Sequence, residues 1–222
     1  MTSEELNALA ARIYRGDLSL KPASYLDEYH RLFQTIRLEQ LRLLELGVKQ
    51  GFSMQLWGEY FPNARIVGLD GEAKPPGFPE EDRFYFAHGA QDNVALLDEA
   101  KAWAGGPFDI IIDDASHLGC HSARSFAHLF PNSLKPGGIY IMEDICTAFT
   151  SGGDFDAAPY TPREIGLSGM PKVFPSHEHG MVGLVKQVID HSQAPTACGN
   201  YTLYAIERVS LMTNIAFIHK AK

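Results

Sequence analysis

The segment Phe108-Asp109-Ile110-Ile111-Ile112-Asp113-Asp114-Ala115-Ser116-His117 decides the fold of this chain. Buried strands of parallel sheets read as unbroken apolar runs, so the acids that follow this run are expected at the carboxyl edge of a sheet, where open α/β sheets bind ligands. A second apolar run, 138–142, ends in the same way at Glu143 and Asp144. Because two neighbouring strand ends would bring four carboxylates and an imidazole together, the sequence predicts a cation site there.

Hydrophobic periodicity on either side of this segment predicts alternating strands and helices. The predicted strands are 41–46, 65–69, 83–87, 108–112, 138–142, 201–208 and 212–219. The predicted helices between and after them are 52–61, 91–103, 119–130 and 181–192. This order predicts an α/β fold with a seven-stranded, mostly parallel sheet and helices on both faces. The last two strands are expected to form an antiparallel hairpin that turns through 209–211.

Residues 1–40 and 147–180 lie outside this alternation of strands and helices. Residues 1–40 read as helical, beginning with a capping box at Thr2 and Glu5. The stretch 147–180 is rich in glycine and proline and is predicted to be a lid or substrate loop. With 222 residues, the chain is predicted to be a single domain, 1–222.

Composition excludes several classes of partner. The 19 Lys and Arg against 27 Asp and Glu give a formal charge of −8, without a basic block, so neither nucleic acid nor an anionic membrane surface is expected as a partner. The sequence lacks the apolar segments of a membrane span or a secretory signal, which predicts a soluble, cytoplasmic protein. The three cysteines form no Cys-x-x-Cys pair and are expected to be reduced structural thiols.

Further polar groups follow the other strands. The turn from Glu45 to Gly51 has glycines where a helix N-terminus could approach a ligand, although a simple tight turn also explains it. Asp70 ends the next strand, at the position where an acid chelates a ribose diol. Gln91 and Asp92 follow the third strand and fit either an adenine contact or a helix cap. The Gly-x-Gly-x-x-Gly fingerprint is absent, which disfavours a nicotinamide oxidoreductase.

The chain resembles the class I methyltransferases that use S-adenosylmethionine, and among them the metal-dependent O-methyltransferases that act on sugars of glycosylated natural products such as macrolides. The resemblance extends over residues 25–146 and implies a Rossmann-like fold. Four stretches carry it: 44–53, 60–70, 112–117 and 130–144.

This resemblance implies roles for individual residues. Asp114, Glu143 and Asp144 would bind Mg²⁺, and His117 would be the catalytic base, although a helix-capping role also fits that histidine. Asp113 would have a minor role near the sulfonium, or would simply mark the strand end. The residues predicted to bind the cofactor are Glu45, Gly47, Gly51, Ser53, Asp70, Gln91, Asp92 and Asp113.

The predicted function is Mg²⁺-dependent transfer of the methyl group of S-adenosylmethionine to a hydroxyl group, on a sugar of a secondary metabolite. A sugar hydroxyl is a poor nucleophile, so the reaction needs a base and a cation that stabilises the developing alkoxide. A catechol or phenol O-methyltransferase and a non-catalytic cofactor-binding partner are the alternatives. We expect a small-molecule glycoside as the acceptor and a homo-oligomeric protein. The chain is shorter than the macrolide-sugar enzymes and is expected to lack their extra amino-terminal domain.

Overall fold

The fold is built on one seven-stranded sheet. The computed structural model describes residues 1–150, 155–161, 176–198 and 204–222. The strands are β1 (Arg42–Leu46), β2 (Arg65–Asp70), β3 (Phe84–His88), β4 (Phe108–Asp113), β5 (Leu134–Met142), β6 (Ile206–Met212) and β7 (Ile215–Lys220). Their order in the sheet is β3-β2-β1-β4-β5-β7-β6. The first five strands pair in parallel and β7 runs antiparallel to both its neighbours, which confirms the predicted sheet and hairpin.

The register of the sheet aligns the predicted strand ends. Leu46 lies opposite Asp113, and Asp113 lies opposite Met142. The next residue of each strand is therefore Gly47, Asp114 or Glu143, in one row. From β1 the chain adds β2 and β3 on one side, and it then returns to add β4 on the other side of β1. Ligands of open α/β sheets bind at such a topological switch point, here between β1 and β4.

Helices cover both faces of the sheet. They are α1 (Ser3–Tyr14), α2 (Ala23–Phe33), α3 (Phe52–Tyr60), α4 (Val94–Ala104), α5 (Gly119–Asn132) and α6 (Gly180–Cys198). Alternate strand residues belong to two separate hydrophobic cores, with α1, α2 and α3 on one face and α4, α5 and α6 on the other. The predicted capping box is present, because the Thr2 side chain accepts from the Glu5 amide and the Glu5 side chain accepts from the Thr2 amide.

Among the boundaries that differ from the sequence prediction, two have a clear local reason. Helix α4 begins at Val94 rather than at 91, and its N-cap is Asn93, whose side chain accepts from the Leu96 amide, so Asp92 is not the cap. The hairpin turns at 213–214 rather than at 209–211. Asn214 adopts the left-handed conformation (φ +65°), which asparagine tolerates well, whereas residues 209–211 continue the edge strand.

The predicted loop 147–180 is only partly within the described residues. A 3₁₀ helix, Ile145–Phe149, follows β5, and residues 155–161 and 176–179 precede α6. Residues 151–154, 162–175 and 199–203 lie outside the described part, including the predicted start of a strand at 201. Within the described residues, no helix combines the length and the apolar character that crossing a membrane requires.

Candidate active site

A cavity of about 790 Å³ opens at the carboxyl edge of the sheet, beside the switch point between β1 and β4. Eight of the twelve predicted site residues line it: Gly47, Ser53, Asp70, Gln91, Asp114, His117, Glu143 and Asp144. The connector from Leu18 to Pro22, between α1 and α2, forms another part of the wall. The acidic strand ends and the first βα turn therefore share one cavity.

His117 lies beside two of the predicted metal ligands. Its Nε2 atom is 3.7 Å from Oδ2 of Asp144 and 4.0 Å from Oδ1 of Asp114. Its Nδ1 atom is buried and has no hydrogen-bond partner among the residues that the structure describes. The imidazole is mostly buried, and its open side faces the cavity together with the two carboxylates.

The backbone at this point is conformationally unusual. Five non-glycine residues in the described part of the chain have positive φ, and three of them, Lys49, His117 and Asp144, line the cavity. Such conformations cost free energy and cluster at functional sites, where the surrounding fold holds them in place. The sharp turns after β4 and β5 aim the side chains of His117 and Asp144 toward each other.

Asp114, His117 and Asp144 suit a hard divalent cation. One potential ligand atom from each of the three lies within 4.8 Å of the others. Carboxylate oxygens completed by water are the ligands that Mg²⁺ prefers, and the cavity gives water and an acceptor access to them. The donor set therefore fits the predicted ion, with Asp114 and Asp144 as its acidic ligands.

Glu143, the third predicted ligand, has other partners. Its Oε1 atom accepts hydrogen bonds from the Lys21 ammonium, at 2.8 Å, and from the Tyr29 hydroxyl. The side chain is almost completely buried, and burial raises the pKa of the Glu143 carboxyl to about 8, although Lys21 opposes this shift. Its role as a metal ligand stays a prediction.

Lys21 is a residue of this site that sequence reasoning missed. Its Nζ atom lies 2.7 Å from Oδ2 of Asp114, 2.8 Å from Oε1 of Glu143 and 3.4 Å from Oε1 of Glu45. Burial disfavours the ammonium, but these carboxylates outweigh it and raise the pKa of Lys21 well above its ordinary value. A charged lysine therefore lies inside the acidic cluster.

The first βα turn is held by Asp70. Oδ2 of Asp70 accepts from the backbone amides of Val48 and Lys49 at 2.7 and 2.8 Å, and Oδ1 accepts from the amide of Glu72 at 2.8 Å. The carboxylate also lines the cavity, where its remaining lone pairs can accept from a ligand hydroxyl. Asp70 thus connects the turn with the predicted ribose site.

Gln91 is oriented by a buried network. Its amide nitrogen donates to Oδ1 of Asp113 at 3.1 Å, and its oxygen accepts from the Ser116 amide at 3.0 Å. Tyr140 donates to the other oxygen of Asp113 at 3.1 Å. Burial raises the pKa of the Asp113 carboxyl to about 6. Asp113 lies beneath the cavity wall and supports Gln91.

Three other predicted cofactor residues also lie outside the cavity lining. Asp92 pairs with Arg124 at 3.0 Å. Gly51 begins α3 with φ +85°, against the backbone of Gly77. Glu45 is fully buried, accepts from Trp57 Nε1 at 3.2 Å and faces Lys21.

Residues 155–156, after the 3₁₀ helix, reach the site. Asp156 accepts hydrogen bonds from the backbone amides of Gly119 and Cys120, each at 2.9 Å, and thereby caps the first turn of α5. The ring of Phe155 lies 6.4 Å from the ring of His117. Part of the predicted substrate loop therefore borders His117.

Two curated proteins share extended sequence similarity with this chain. It is 35% identical to demethylmacrocin O-methyltransferase of Streptomyces fradiae over 205 residues, which are 86% of this chain and 47% of that protein. It is 33% identical to mycinamicin VI 2''-O-methyltransferase of Micromonospora griseorubida, over 87% of this chain and 47% of that protein. The chain thus spans about half the length of these relatives. No protein-family model matches it.

A solved structure shares the fold. The MycE methyltransferase from the mycinamycin biosynthetic pathway, in complex with Mg, SAH and mycinamycin VI, superposes with a TM-score of 0.74 at 31% identity, over 98% of this chain and 54% of that one. This chain has the fold of the class I methyltransferases. Its homologues are sugar O-methyltransferases of antibiotic pathways, so the methyltransferase fold and the resemblance predicted from the sequence are confirmed.

Proposed function

We propose that this methyltransferase moves the methyl group of S-adenosylmethionine to a sugar hydroxyl of a glycosylated secondary metabolite, with Mg²⁺ as a cofactor. The observation that carries the proposal is the position of His117 Nε2, which lies beside the carboxylates of Asp114 and Asp144 in the cavity that the Asp70 turn also lines. The similarity to a methyltransferase solved with Mg and SAH supports both cofactors.

Different residues of the cavity bind the cofactor and accept the proton. Asp70 and the turn at Gly47 hold the ribose end of the cofactor, and Gln91 lies where the base would extend. His117 accepts the hydroxyl proton of the acceptor while the acceptor oxygen forms a bond to the methyl carbon. The bond between that carbon and sulfur breaks, and its electron pair stays on sulfur, which becomes a neutral thioether.

Asp114 and Asp144 would hold the magnesium ion. When bound there, the ion supplies Lewis acidity toward the acceptor oxygen and orients the acceptor. His117 lies within 4.0 Å of both carboxylates, so a hydroxyl held at this point is within reach of the base. Cytoplasmic location and homo-oligomer formation stay predictions.

The test is a turnover assay with purified protein, S-adenosylmethionine and Mg²⁺. A panel of macrolide and aromatic polyketide glycosides is compared with catechols and with the sugar-free aglycones. We expect a product one methyl group heavier from glycosides alone, and we expect turnover to stop in excess chelator and to return with Mg²⁺. Methylation of catechols but not glycosides would reject the sugar acceptor, and full turnover in chelator would reject the metal.

A further inference from the structure

We propose that Lys21 is a positioning residue, which fixes the carboxylate of Asp114 so that Oδ1 faces Asp144 and His117 in the cavity. The inference rests on the proposed metal-dependent function. The two oxygens of Asp114 have different surroundings: Oδ2 accepts from Lys21 at 2.7 Å, and Oδ1 lies 4.0 Å from His117 Nε2. In the described part of the chain, no other side chain donates a hydrogen bond to Asp114.

Lys21 reaches three adjacent strands at once. Glu45 belongs to β1, Asp114 directly follows β4, and Glu143 directly follows β5, with β4 lying between the other two strands. The carboxylates of Glu45 and Glu143 are buried on either side, whereas that of Asp114 is 26% exposed. Lys21 is therefore held by two buried acids and presents the third acid to the cavity.

The main chain around Lys21 is also fixed. Pro22 follows it directly as the N-cap of α2, and the hydroxyl of Tyr29, in the second turn of that helix, binds the same Glu143 oxygen as Lys21. The ammonium is thus bound to Glu143 as well as to Asp114, and its main chain leads directly into α2. The position of the Asp114 carboxylate thus depends on the N-terminal helical segment.

A purely structural role makes a different prediction. If Lys21 only neutralised buried acids, then removing its charge together with one buried carboxylate would leave the site intact. The double substitution Lys21→Met with Glu45→Gln does this, because it removes one positive and one negative charge. Glu45 does not line the cavity, so the single variant Glu45→Gln is the matched control.

The measurement is binding of Mn²⁺ alone, by isothermal titration calorimetry and electron paramagnetic resonance, to the full chain near pH 8. Burial raises the pKa of Glu45 to about 7, so this carboxylate is ionised there and the charge change of the double variant is balanced. We expect the double variant to bind Mn²⁺ about 10- to 100-fold more weakly than Glu45→Gln, the usual cost of losing a group that orients a metal ligand. Affinity for S-adenosylhomocysteine should change less than about threefold, because Asp70 is not in contact with Lys21.

Mn²⁺ affinity within about twofold of the control would overturn the positioning role. If the double variant does not fold, Lys21→Arg gives the same readout, because it keeps the charge but moves the donor atoms; native Mn²⁺ affinity in that variant would also overturn the role. If the unsubstituted chain binds no Mn²⁺, the metal-dependent function fails and the role of Lys21 fails with it. If the unsubstituted chain binds Mn²⁺ and the variants bind it equally well, only the positioning role of Lys21 is rejected.

Discussion

The backbone of Gly47 packs directly against the carbonyl oxygen of Asp114, so closely that a Cβ atom on Gly47 would lie 2.0 Å from that oxygen. The turn at Gly47, proposed to bind the cofactor, and Asp114, proposed to bind the metal ion, are therefore in backbone contact. Gly47 also has φ +91°, a conformation that side chains disfavour. A residue with a side chain at this position would disturb both halves of the site.

We expect Gly47→Ala to lower the free energy of unfolding by about 2–4 kcal/mol, from left-handed strain and steric overlap together. Gly16→Ala is the matched control, because Gly16 has φ +83° and no atom of the described residues lies within 4 Å of the position that the added methyl group would take. In this control only the backbone strain should lower the free energy of unfolding, by about 1–2 kcal/mol. Urea unfolding of both variants measures the difference, and equal losses would mean that the turn can move away from β4.

Much of this site could be predicted from the sequence, because strand ends in a parallel sheet are set by the apolar runs themselves. The run 108–112 placed Asp113 and Asp114 at the carboxyl edge, and β5 placed Glu143 beside them in the same row. The alternation of strands and helices also predicted that helices would cover both faces of the sheet. These features depend on local pattern and on general rules of sheet topology.

Lys21 could not be predicted in this way. It contacts Asp114 and Glu143 across 93 and 122 residues of sequence, and it lies in the segment 1–40, which the sequence pattern predicts only as helical. The available signal was the convergence of acidic residues at neighbouring strand ends, and it indicated a cation without identifying a lysine. Asn93 was missed as the α4 cap for a smaller reason, since Asp92 has almost the same capping preference.

The second prediction concerns Asp70. Asp70→Asn should weaken binding of S-adenosylhomocysteine about 10- to 100-fold, because hydrogen bonds to a charged acceptor contribute about 1.5–3 kcal/mol. The amide also loses acceptor capacity for the Val48 and Lys49 amides, so the turn itself should loosen. Calorimetric titration tests this, with Asp98→Asn, at a surface pair with His128, as the control. Unchanged affinity would remove Asp70 from the cofactor site.

The third prediction is a pH dependence of stability. Burial raises the pKa of the Glu45 carboxyl from 4.5 to about 7, although Lys21 opposes the shift. Between these two values the native protein binds more protons than the unfolded chain, so the free energy of unfolding falls as pH rises through this range. In the variant Glu45→Gln the side chain cannot titrate, so the free energy of unfolding should fall less steeply with pH. The control Glu80→Gln, in the exposed ion pair with Lys74, should leave the slope unchanged. Urea unfolding between about pH 5 and pH 8 gives the slopes; identical slopes for both variants would contradict the assignment.

The last prediction assigns the proton transfer to His117. His117→Asn removes the base while keeping a residue type that tolerates φ +55°, so the turn after β4 should keep its shape. With an acceptor glycoside from the panel above, kcat should fall about 10²- to 10⁴-fold, the usual contribution of a positioned base. Binding of S-adenosylhomocysteine and of Mn²⁺ should be weakened much less than kcat is lowered.

His121 provides the comparison for this variant, because it lines the same cavity one turn further along, within α5. His121→Asn should keep kcat within about threefold, since no carboxylate of the proposed metal site pairs with it among the described residues. Rapid-quench measurement of a single turnover separates the methyl-transfer step from product release in both variants. If His117→Asn transfers methyl at more than about a tenth of the native rate, the proton leaves by another route and His117 only shapes the turn.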